Sequence, residues 1–281
     1  MIIGCSHHLT VSRTNPDTLW LDASEFSADI TEIPLPFDEA PHARQGDQLF
    51  VFVYVDSRAN PVATVQIPVA QLGECACLNV RATTEHGAFL EWGIAKDLFL
   101  PFNEQRRPVH EGLKECVLVY LDNTGRLAAS SQLDKHLSET DEGFDAWQKV
   151  SILIYQRTDL GFKCVIEHRA IGLLYKDEIF SDIKVGQTTT GYIKRLRQDR
   201  RIDLALQPTN DQLKAKLTDE IIHYIKAHDG VSTLTDKSAP DDIYATFGVS
   251  KKNYKRALSA LYKQRRIVIE SDRVILAAKG N

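Results

Sequence analysis

The 281-residue sequence lacks several features that mark common functional classes. It contains no stretch approaching the roughly 20 apolar residues that a membrane-spanning helix needs. It has neither a P-loop nor a His-Glu-x-x-His motif, and its scattered carboxylates form no evident acid–base pair. Its first residues do not combine a basic region with an apolar core, so we expect no signal peptide and a cytoplasmic location. These absences predict a protein that is not an enzyme and that uses no cofactor or metal.

Cysteine is scarce, with five residues in the chain. An odd number of cysteines favours reduced thiols in a cytoplasm over a disulfide framework. A single residue separates Cys75 from Cys77, which is the wrong spacing for half of a zinc site. Residues at this spacing on a strand share a face, so we expect the pair to pack in a core.

Charge is divided unevenly along the chain. Residues 1–140 contain 10 Lys and Arg against 19 Asp and Glu, a net charge of −9, whereas residues 141–281 contain 24 against 19, a net charge of +5. This division excludes a uniformly basic nucleic-acid binder. An acidic front half followed by a basic back half predicts a polyanionic partner for the back half.

Three segments of the sequence resemble one another. Gly46, Gly112 and Gly186 occupy the same place in each repeat, 66 and then 74 residues apart. Each repeat contains five short runs that are β-branched or aromatic and are bounded by turn residues. Five strands in about 65–70 residues is the size of a small barrel, of which the OB fold is the commonest. The strand number alone also allows SH3-like barrels.

The pattern becomes helical after Pro208. Pro240 with acidic residues behind it marks the start of one helix, and Ser250 caps another over residues 251–264. A hairpin follows at residues 267–276. Helix, helix, turn, helix and hairpin is the order of a winged helix.

We therefore predict a mainly β chain with an α+β tail, in which three tandem five-stranded OB-fold barrels precede a winged-helix domain. The polar segment at residues 134–145 is the expected linker. The predicted domains are barrel 1 at residues 1–68, barrel 2 at 69–138, barrel 3 at 146–210 and the winged helix at 212–281.

The repeats resemble the OB-fold RNA-binding domain of the ribosomal-protein-S-one type. The stretches that carry this resemblance are residues 172–179, 185–187, 191–197 and 201–208 of the third repeat, and residues 234–243, 249–252 and 260–263 of the tail. The whole order is similar to the conserved virulence factor B family of bacterial regulators, in which three such barrels precede a winged helix. The resemblance implies RNA binding, an influence on gene expression and no established catalytic activity.

The resemblance also implies that the second and third strands of each barrel present aromatic residues on which bases stack. The predicted RNA-binding residues of this kind, with one lysine at an aromatic position, are His86, Phe89, Phe162, Lys163, Tyr175 and Tyr192. The usual histidine position holds Pro101 in the second repeat. Phe89 and Tyr175 are equally consistent with the barrel core, and Trp92 is predicted to be a core residue. In the first repeat Trp20 stands among acidic residues, which favours a protein partner over RNA.

Basic residues cluster at the last turn of the third repeat and on the last helix of the tail, where they could neutralise several phosphates. The predicted phosphate contacts of the third repeat are Lys194, Arg195, Arg197, Arg200 and Arg201. The predicted nucleic-acid contacts of the winged helix are Lys251, Lys252, Lys255, Arg256, Lys263, Arg265 and Arg266. The alternatives are a solvated hairpin whose arginines pair with Asp199 and Asp203, and a solvated amphipathic helix.

These observations predict a cytoplasmic RNA-binding protein that regulates gene expression after transcription. Its partner would be single-stranded RNA, with duplex DNA as an alternative for the winged helix and a protein as the partner of barrel 1. Two other functions stay open from the sequence: a DNA-binding transcription factor, and a scaffold whose barrels bind no nucleic acid.

Overall fold

The computed structural model describes residues 3–26, 30–138, 143–179, 182–208 and 210–277, with all side chains in these ranges except those of residues 178 and 210–216. It divides into two compact units, Met1–Leu206 and Gln207–Asn281. The first contains three barrels and the second contains the winged helix. The predicted fold class, mainly β with a winged-helix tail, is confirmed. The residue boundaries between the barrels remain predictions.

Barrel 1 is a five-stranded antiparallel sheet in the order β3-β2-β1-β4-β5. Its strands β1 to β5 run Ser6–Thr14, Thr18–Asp22, Glu32–Pro36, Gln48–Val55 and Pro61–Thr64. Leu9 and Val11 on β1, like Leu19 and Leu21 on β2, are buried and alternate with more exposed neighbours. This period of two places one face of the sheet in the core.

Barrel 2 closes in the order β10-β8-β7-β6-β9 and is followed by a single helical turn, α1. Strands β6 to β10 run Cys75–Thr84, Gly87–Glu91, Leu98–Pro101, Lys114–Leu121 and Leu127–Ser130, and α1 runs Leu133–His136. Gly87 begins the second strand, where a Cβ atom would collide with the carbonyl oxygen of Leu100. Glycine is therefore required for the close approach of β7 and β8.

Barrel 3 closes in the order β11-β12-β13-β15-β14. Strands β11 to β15 run Lys149–Arg157, Gly161–Ile166, Ala170–Tyr175, Thr188–Leu196 and Ile202–Ala205. Gly161 repeats the role of Gly87, because a Cβ atom there would collide with the carbonyl oxygen of Leu174. The first strand bonds to the second and fourth, and the third pairs in parallel with the fifth. This is the Greek-key closure of an OB fold, which decides against SH3-like barrels.

Aromatic packing joins barrels 1 and 2. Phe52 points outward from β4 and is completely buried against Trp92, with the two rings edge to face at 5.7 Å. Trp92 is 2% exposed, which confirms its prediction as a core residue. Its indole Nε1 donates to the carbonyl oxygen of Lys96 at 2.6 Å.

A second apolar cluster joins barrels 2 and 3 around α1. Its buried members include Leu118, Leu133, Leu137, Leu153, Tyr155, Val165 and Ile171. The predicted linker at residues 134–145 is therefore wrong in its first residues: α1 is docked, and Ser138 bridges to Ala170. The physical reason is the spacing of Leu133 and Leu137, which puts both on one side of the helical turn. Residues 139–142 of the predicted linker lie outside the described residues.

The prediction of reduced thiols is wrong for one pair, because Cys77 and Cys116 form a disulfide. The two residues are directly opposite in the register of β6 and β9. Cys75 and Cys77 do share a face, as predicted, but this face belongs to the cluster between barrels 2 and 3. Cys75 and Cys164 are free thiols whose pKa burial raises to about 12.

In its described residues, the winged-helix unit contains three helices and a three-stranded sheet in the order β16-β18-β17. Its elements are α2 at Asn210–Ala227, β16 at Val231–Ser232, α3 at Pro240–Phe247, α4 at Lys251–Lys263, β17 at Ile267–Ile269 and β18 at Val274–Leu276. Gly248 ends α3 in the left-handed conformation, and the Ser250 hydroxyl caps α4 by accepting from the backbone N–H of Asn253. β16 was not predicted from the sequence, because it has only two residues.

Candidate nucleic-acid interface

The outer face of barrel 3 carries a row of side chains that crosses four strands. Lys163 lies opposite Leu173, Leu173 opposite Asp203, and Asp203 opposite Arg195. Lys163, Leu173 and Asp203 point outward because Cys164, Leu174 and Leu204, which follow them in the sequence, are buried in the barrel core. Arg195 beside them is exposed. The predicted residues Lys163 and Arg195, which are 32 positions apart in the sequence, are thereby placed on one surface.

Tyr175 lies two residues beyond Leu173 on the same face and is half-buried. Beside it is a depression of about 530 Å³, lined by Tyr175, Arg195, Arg197, Gln198, Asp199 and Asp203. Arg197 donates to the Tyr175 hydroxyl at 3.2 Å and forms an ion pair with Asp199 at 3.1 Å. The predicted residues Tyr175, Arg195 and Arg197 therefore meet at one site, with part of the arginine charge neutralised within the turn.

A second depression, also about 530 Å³, lies at the turn between β11 and β12. Its lining consists of Arg157, Thr158, Asp159, Gly161, Phe162 and Lys176. Phe162 packs partly against the barrel core as well as lining this depression. Arg157 and Lys176 were not predicted from the sequence. Arg157 ends β11 and Lys176 directly follows β13, and the pairing of Gly161 with Tyr175 brings these two segments together.

The remaining predicted residues of barrel 3 are distributed around this face. Tyr192 is half-exposed on β14, opposite Ala205. Arg200 is exposed in the turn that joins β14 to β15, with a left-handed φ of 64°. Arg201 lines a small cavity of about 130 Å³ together with Lys163 and Leu173. Lys194 is half-exposed beside the bulge in β14.

Barrel 2 presents an aromatic pair at the corresponding position. Phe89 on β7 lies opposite Phe99 on β8, with ring centroids 5.3 Å apart, and both rings are half-exposed. Phe102 follows at 66% exposure, and the His86 side chain is exposed in the preceding turn, 3.5 Å from Glu85. The sequence reading missed Phe99 and Phe102. The alternation of residues 98–101 would have placed Phe99 outward.

Trp20 occupies the equivalent position in barrel 1, but one face of its ring is covered. The Arg13 guanidinium lies 4.2 Å from the ring centroid, and it pairs with Glu32 at 2.9 Å. The hydrogen bond from Arg13, together with one from Ser12, holds the pKa of Glu32 below its ordinary value. A ring already stacked with an arginine offers a base less open surface than Phe89 does.

The predicted cations of the winged helix are on its surface, and several contact acceptors of the same unit. Lys251 donates to the backbone oxygen of Lys237 at 3.2 Å, Lys255 pairs with Asp236 at 3.4 Å, and Arg266 pairs with Asp219 at 3.5 Å. The other predicted cations, all exposed, are Lys252, Arg256, Lys263 and Arg265.

Comparison with known proteins identifies both kinds of domain. A family model described as the CvfB-like winged helix domain matches residues 219–276. The S1 domain model matches residues 3–66 and 72–132, which cover barrels 1 and 2. The chain thus combines S1 domains with a CvfB-like winged helix domain, and its relatives include proteins named conserved virulence factor B. Both matched domains are of nucleic-acid-binding type.

Relatives match most of the chain. The uncharacterised protein YitL of Bacillus subtilis is 27% identical over 264 residues, covering 91% of this chain and 84% of the relative. Conserved virulence factor B of Staphylococcus epidermidis is 22% identical over 251 residues, covering 84% and 82%. A crystal structure of a multidomain protein with nucleic acid binding domains from Streptococcus pneumoniae covers 98% of both chains at 20% identity, with a TM-score of 0.40. Across the described part of this chain, no helix is both long and apolar enough to cross a membrane.

Proposed function

We propose that the protein binds single-stranded RNA on the outer face of barrel 3 and regulates gene expression after transcription from a cytoplasmic location. The observation that carries the proposal is the flanking of Tyr175 by two depressions of about 530 Å³ each. One is lined by Arg195 and Arg197, and the other by Arg157 and Lys176. The lining also includes Asp199 and Asp203 in the first depression and Asp159 in the second. An aromatic ring with arginine and lysine side chains near it offers the stacking and phosphate contacts by which proteins bind a nucleic-acid strand.

In this mechanism a base stacks on the ring of Tyr175 while the neighbouring phosphates lie in the two depressions. Stacking on an aromatic side chain is worth about 1–3 kcal/mol per base and tolerates any base, so sequence preference is modest. Charge-assisted hydrogen bonds from Arg195, Arg157 and Lys176 then hold the phosphates. Affinity should fall steeply with salt, because each neutralised phosphate releases counterions.

Barrel 2 would extend the binding surface with rings rather than charges. Phe89 and Phe99 present adjoining half-exposed rings, and Phe102, in the short turn Phe102–Glu104 that follows β8, adds an exposed third ring. Barrel 1 would instead dock a protein, because its residues are acidic and Arg13 covers Trp20. A negatively charged barrel repels phosphate and favours a partner of opposite charge.

The test is fluorescence anisotropy of the full chain with labelled single-stranded RNA and labelled duplex DNA at two salt concentrations. We expect salt-sensitive binding that favours RNA, and about ten-fold weaker RNA binding for Tyr175→Ala. Phe50→Ala is the matched control, because it removes an exposed ring of 47% exposure from barrel 1. Equal affinities of wild type and Tyr175→Ala for RNA would contradict the proposal.

Duplex DNA is the second candidate ligand, and the exposed cations of α4 favour it. Lys252 and Arg256 lie on the exposed side of this helix, opposite the buried Tyr254 and Leu258. A recognition helix of this kind can enter a major groove. Preference for duplex DNA that disappears in the double variant K252Q/R256Q would support this function, and absence of salt-dependent binding to either nucleic acid would support a scaffold.

A further inference from the structure

Asp134 is the residue through which α1 reaches the proposed RNA surface. Its Oδ1 accepts hydrogen bonds from Lys163 Nζ at 2.5 Å and from the Tyr155 hydroxyl at 3.0 Å. Tyr155 is 3% exposed, whereas the side chains of Lys163 and Asp134 are 30% and 37% exposed. The carboxylate is thus held by a buried hydroxyl on one side while it neutralises a surface ammonium on the other.

The position of Asp134 is set by the packing of α1. Leu133 is fully buried and Leu137 is 9% exposed, both in the cluster between barrels 2 and 3. His136 on the same turn lies 3.3 Å from Glu104 of barrel 2. Asp134 is therefore fixed by contacts to both barrels, so it behaves as a built-in anion rather than as a mobile surface group.

Lys163 lies where the interface between the barrels ends and the open face begins. Val165 and Ile171, the next outward-facing residues toward barrel 2, are buried in the cluster, whereas Leu173 is half-exposed. A cavity of about 130 Å³ lies there, lined by Lys163, Ile171, Gly172, Leu173 and Arg201. Two cationic side chains around a cavity with room for a few water molecules suit a phosphate group better than a base.

We infer that Asp134 occupies the phosphate position of Lys163, so that an RNA strand must displace this carboxylate to use the lysine. The inference rests on the proposed function and concerns the regulation of that same site. A carboxylate and a phosphodiester are both anionic acceptors and compete for one ammonium group. The docked α1 thereby lowers the affinity of barrel 3 for RNA.

The test compares Asp134→Asn with Asp145→Asn in the full chain, using a labelled oligouridine between about 50 mM and 200 mM salt. Asparagine keeps an acceptor for Tyr155, and Asp145 is an exposed carboxylate outside α1, so the control matches the change in net charge. We expect D134N to bind RNA about two- to five-fold more tightly at low salt, as for loss of a competing surface ion pair. We also expect its salt slope to steepen by about 0.7, because Lys163 would neutralise a phosphate in place of the lost carboxylate and release one more counterion.

A double-mutant cycle with Lys163→Gln distinguishes the loss of the Asp134–Lys163 ion pair from a shift of α1 in the D134N variant. In the wild-type background K163Q should change RNA affinity little, whereas in the D134N background it should abolish the gain. Equal affinities and salt slopes for D134N and D145N would overturn the inference while leaving RNA binding intact. Absence of RNA binding by the wild type at low salt would overturn the proposed function itself.

Discussion

Reduction of the disulfide between Cys77 and Cys116 should destabilise barrel 2 by about 4 kcal/mol. The bond joins residues 39 positions apart and so closes a loop of that length in the unfolded chain. The chain-entropy relation gives about 13 cal/mol/K for such a loop, which is about 4 kcal/mol at 25 °C. The bond also links β6 to β9, whose outer faces carry Cys75 and Leu118 into the cluster with barrel 3. Reduction should therefore loosen this junction together with the barrel.

The assay is urea unfolding of the full chain with and without reductant, alongside the variants C77S/C116S and Cys5→Ser. Cys5 is a half-buried free thiol in the same unit, so its variant controls for the loss of a sulfur atom. The reduced protein and C77S/C116S should share a lower unfolding midpoint, and Cys5→Ser should respond to reductant as the wild type does. Equal midpoints with and without reductant, in protein whose disulfide is verified by mass spectrometry, would refute the reasoning.

Three further outcomes follow from the structure. Phe99→Ala should weaken RNA binding by about 1 kcal/mol or more in an anisotropy titration, because it removes half of the exposed ring pair of barrel 2. Gly161→Ala should lower the free energy of unfolding by about 2 kcal/mol in urea titration, because its Cβ meets the backbone of Leu174. Cys75 and Cys164 should resist alkylation in native protein at neutral pH, because their raised pKa of about 12 leaves almost no thiolate until the solution is strongly alkaline. Mass spectrometry after a timed iodoacetamide exposure would check this, with Cys5 as the reactive reference.

The fold could be predicted from the sequence because its signals are local and repeated. Each barrel has a glycine at the same place, alternating apolar residues and turn residues between short strands. The winged helix has its own local signals, since Pro240 begins α3 and Ser250 caps α4. These features depend on a few neighbouring residues, so a single sequence is enough to show them.

The features that escaped prediction depend on long-range register or on very short elements. The disulfide follows from the pairing of Cys77 with Cys116, which spacing along the chain does not reveal. The one-turn helix α1 is too short for a periodic signal, so its polar residues resembled a linker. The pairing of Lys163 with Asp134 joins two barrels across 29 residues. Such contacts arise from packing, and no local pattern encodes them.

The sequence predicted which strands of barrel 3 carry the candidate site, but not all of the residues that line it. Tyr175, Arg195 and Arg197 were predicted and do line one depression. Arg157 and Lys176 were missed because Arg157 is the last residue of β11 and Lys176 begins the turn after β13, where the sequence shows only isolated cations. Their closeness follows from the pairing of Gly161 with Tyr175.

One position on the second strand, equivalent in all three barrels, carries a different side chain in each and so gives each barrel a different surface. Trp20, Phe89 and Lys163 each lie on the second strand, two residues beyond the one that pairs with Pro36, Pro101 or Tyr175. The tryptophan is covered by Arg13, the phenylalanine adjoins Phe99, and the lysine is neutralised by Asp134.

Because the backbone register is the same, these differences come from the neighbouring side chains alone. In barrel 1 an arginine covers the aromatic ring at this position, and in barrel 2 the position presents two adjoining aromatic rings. In barrel 3 it carries a lysine that is already paired with a carboxylate. A strand of RNA would thus stack most readily on barrel 2 and would gain its phosphate contacts on barrel 3. It follows that removing rings should matter most at barrel 2 and Tyr175, whereas salt sensitivity should follow the cations of barrel 3.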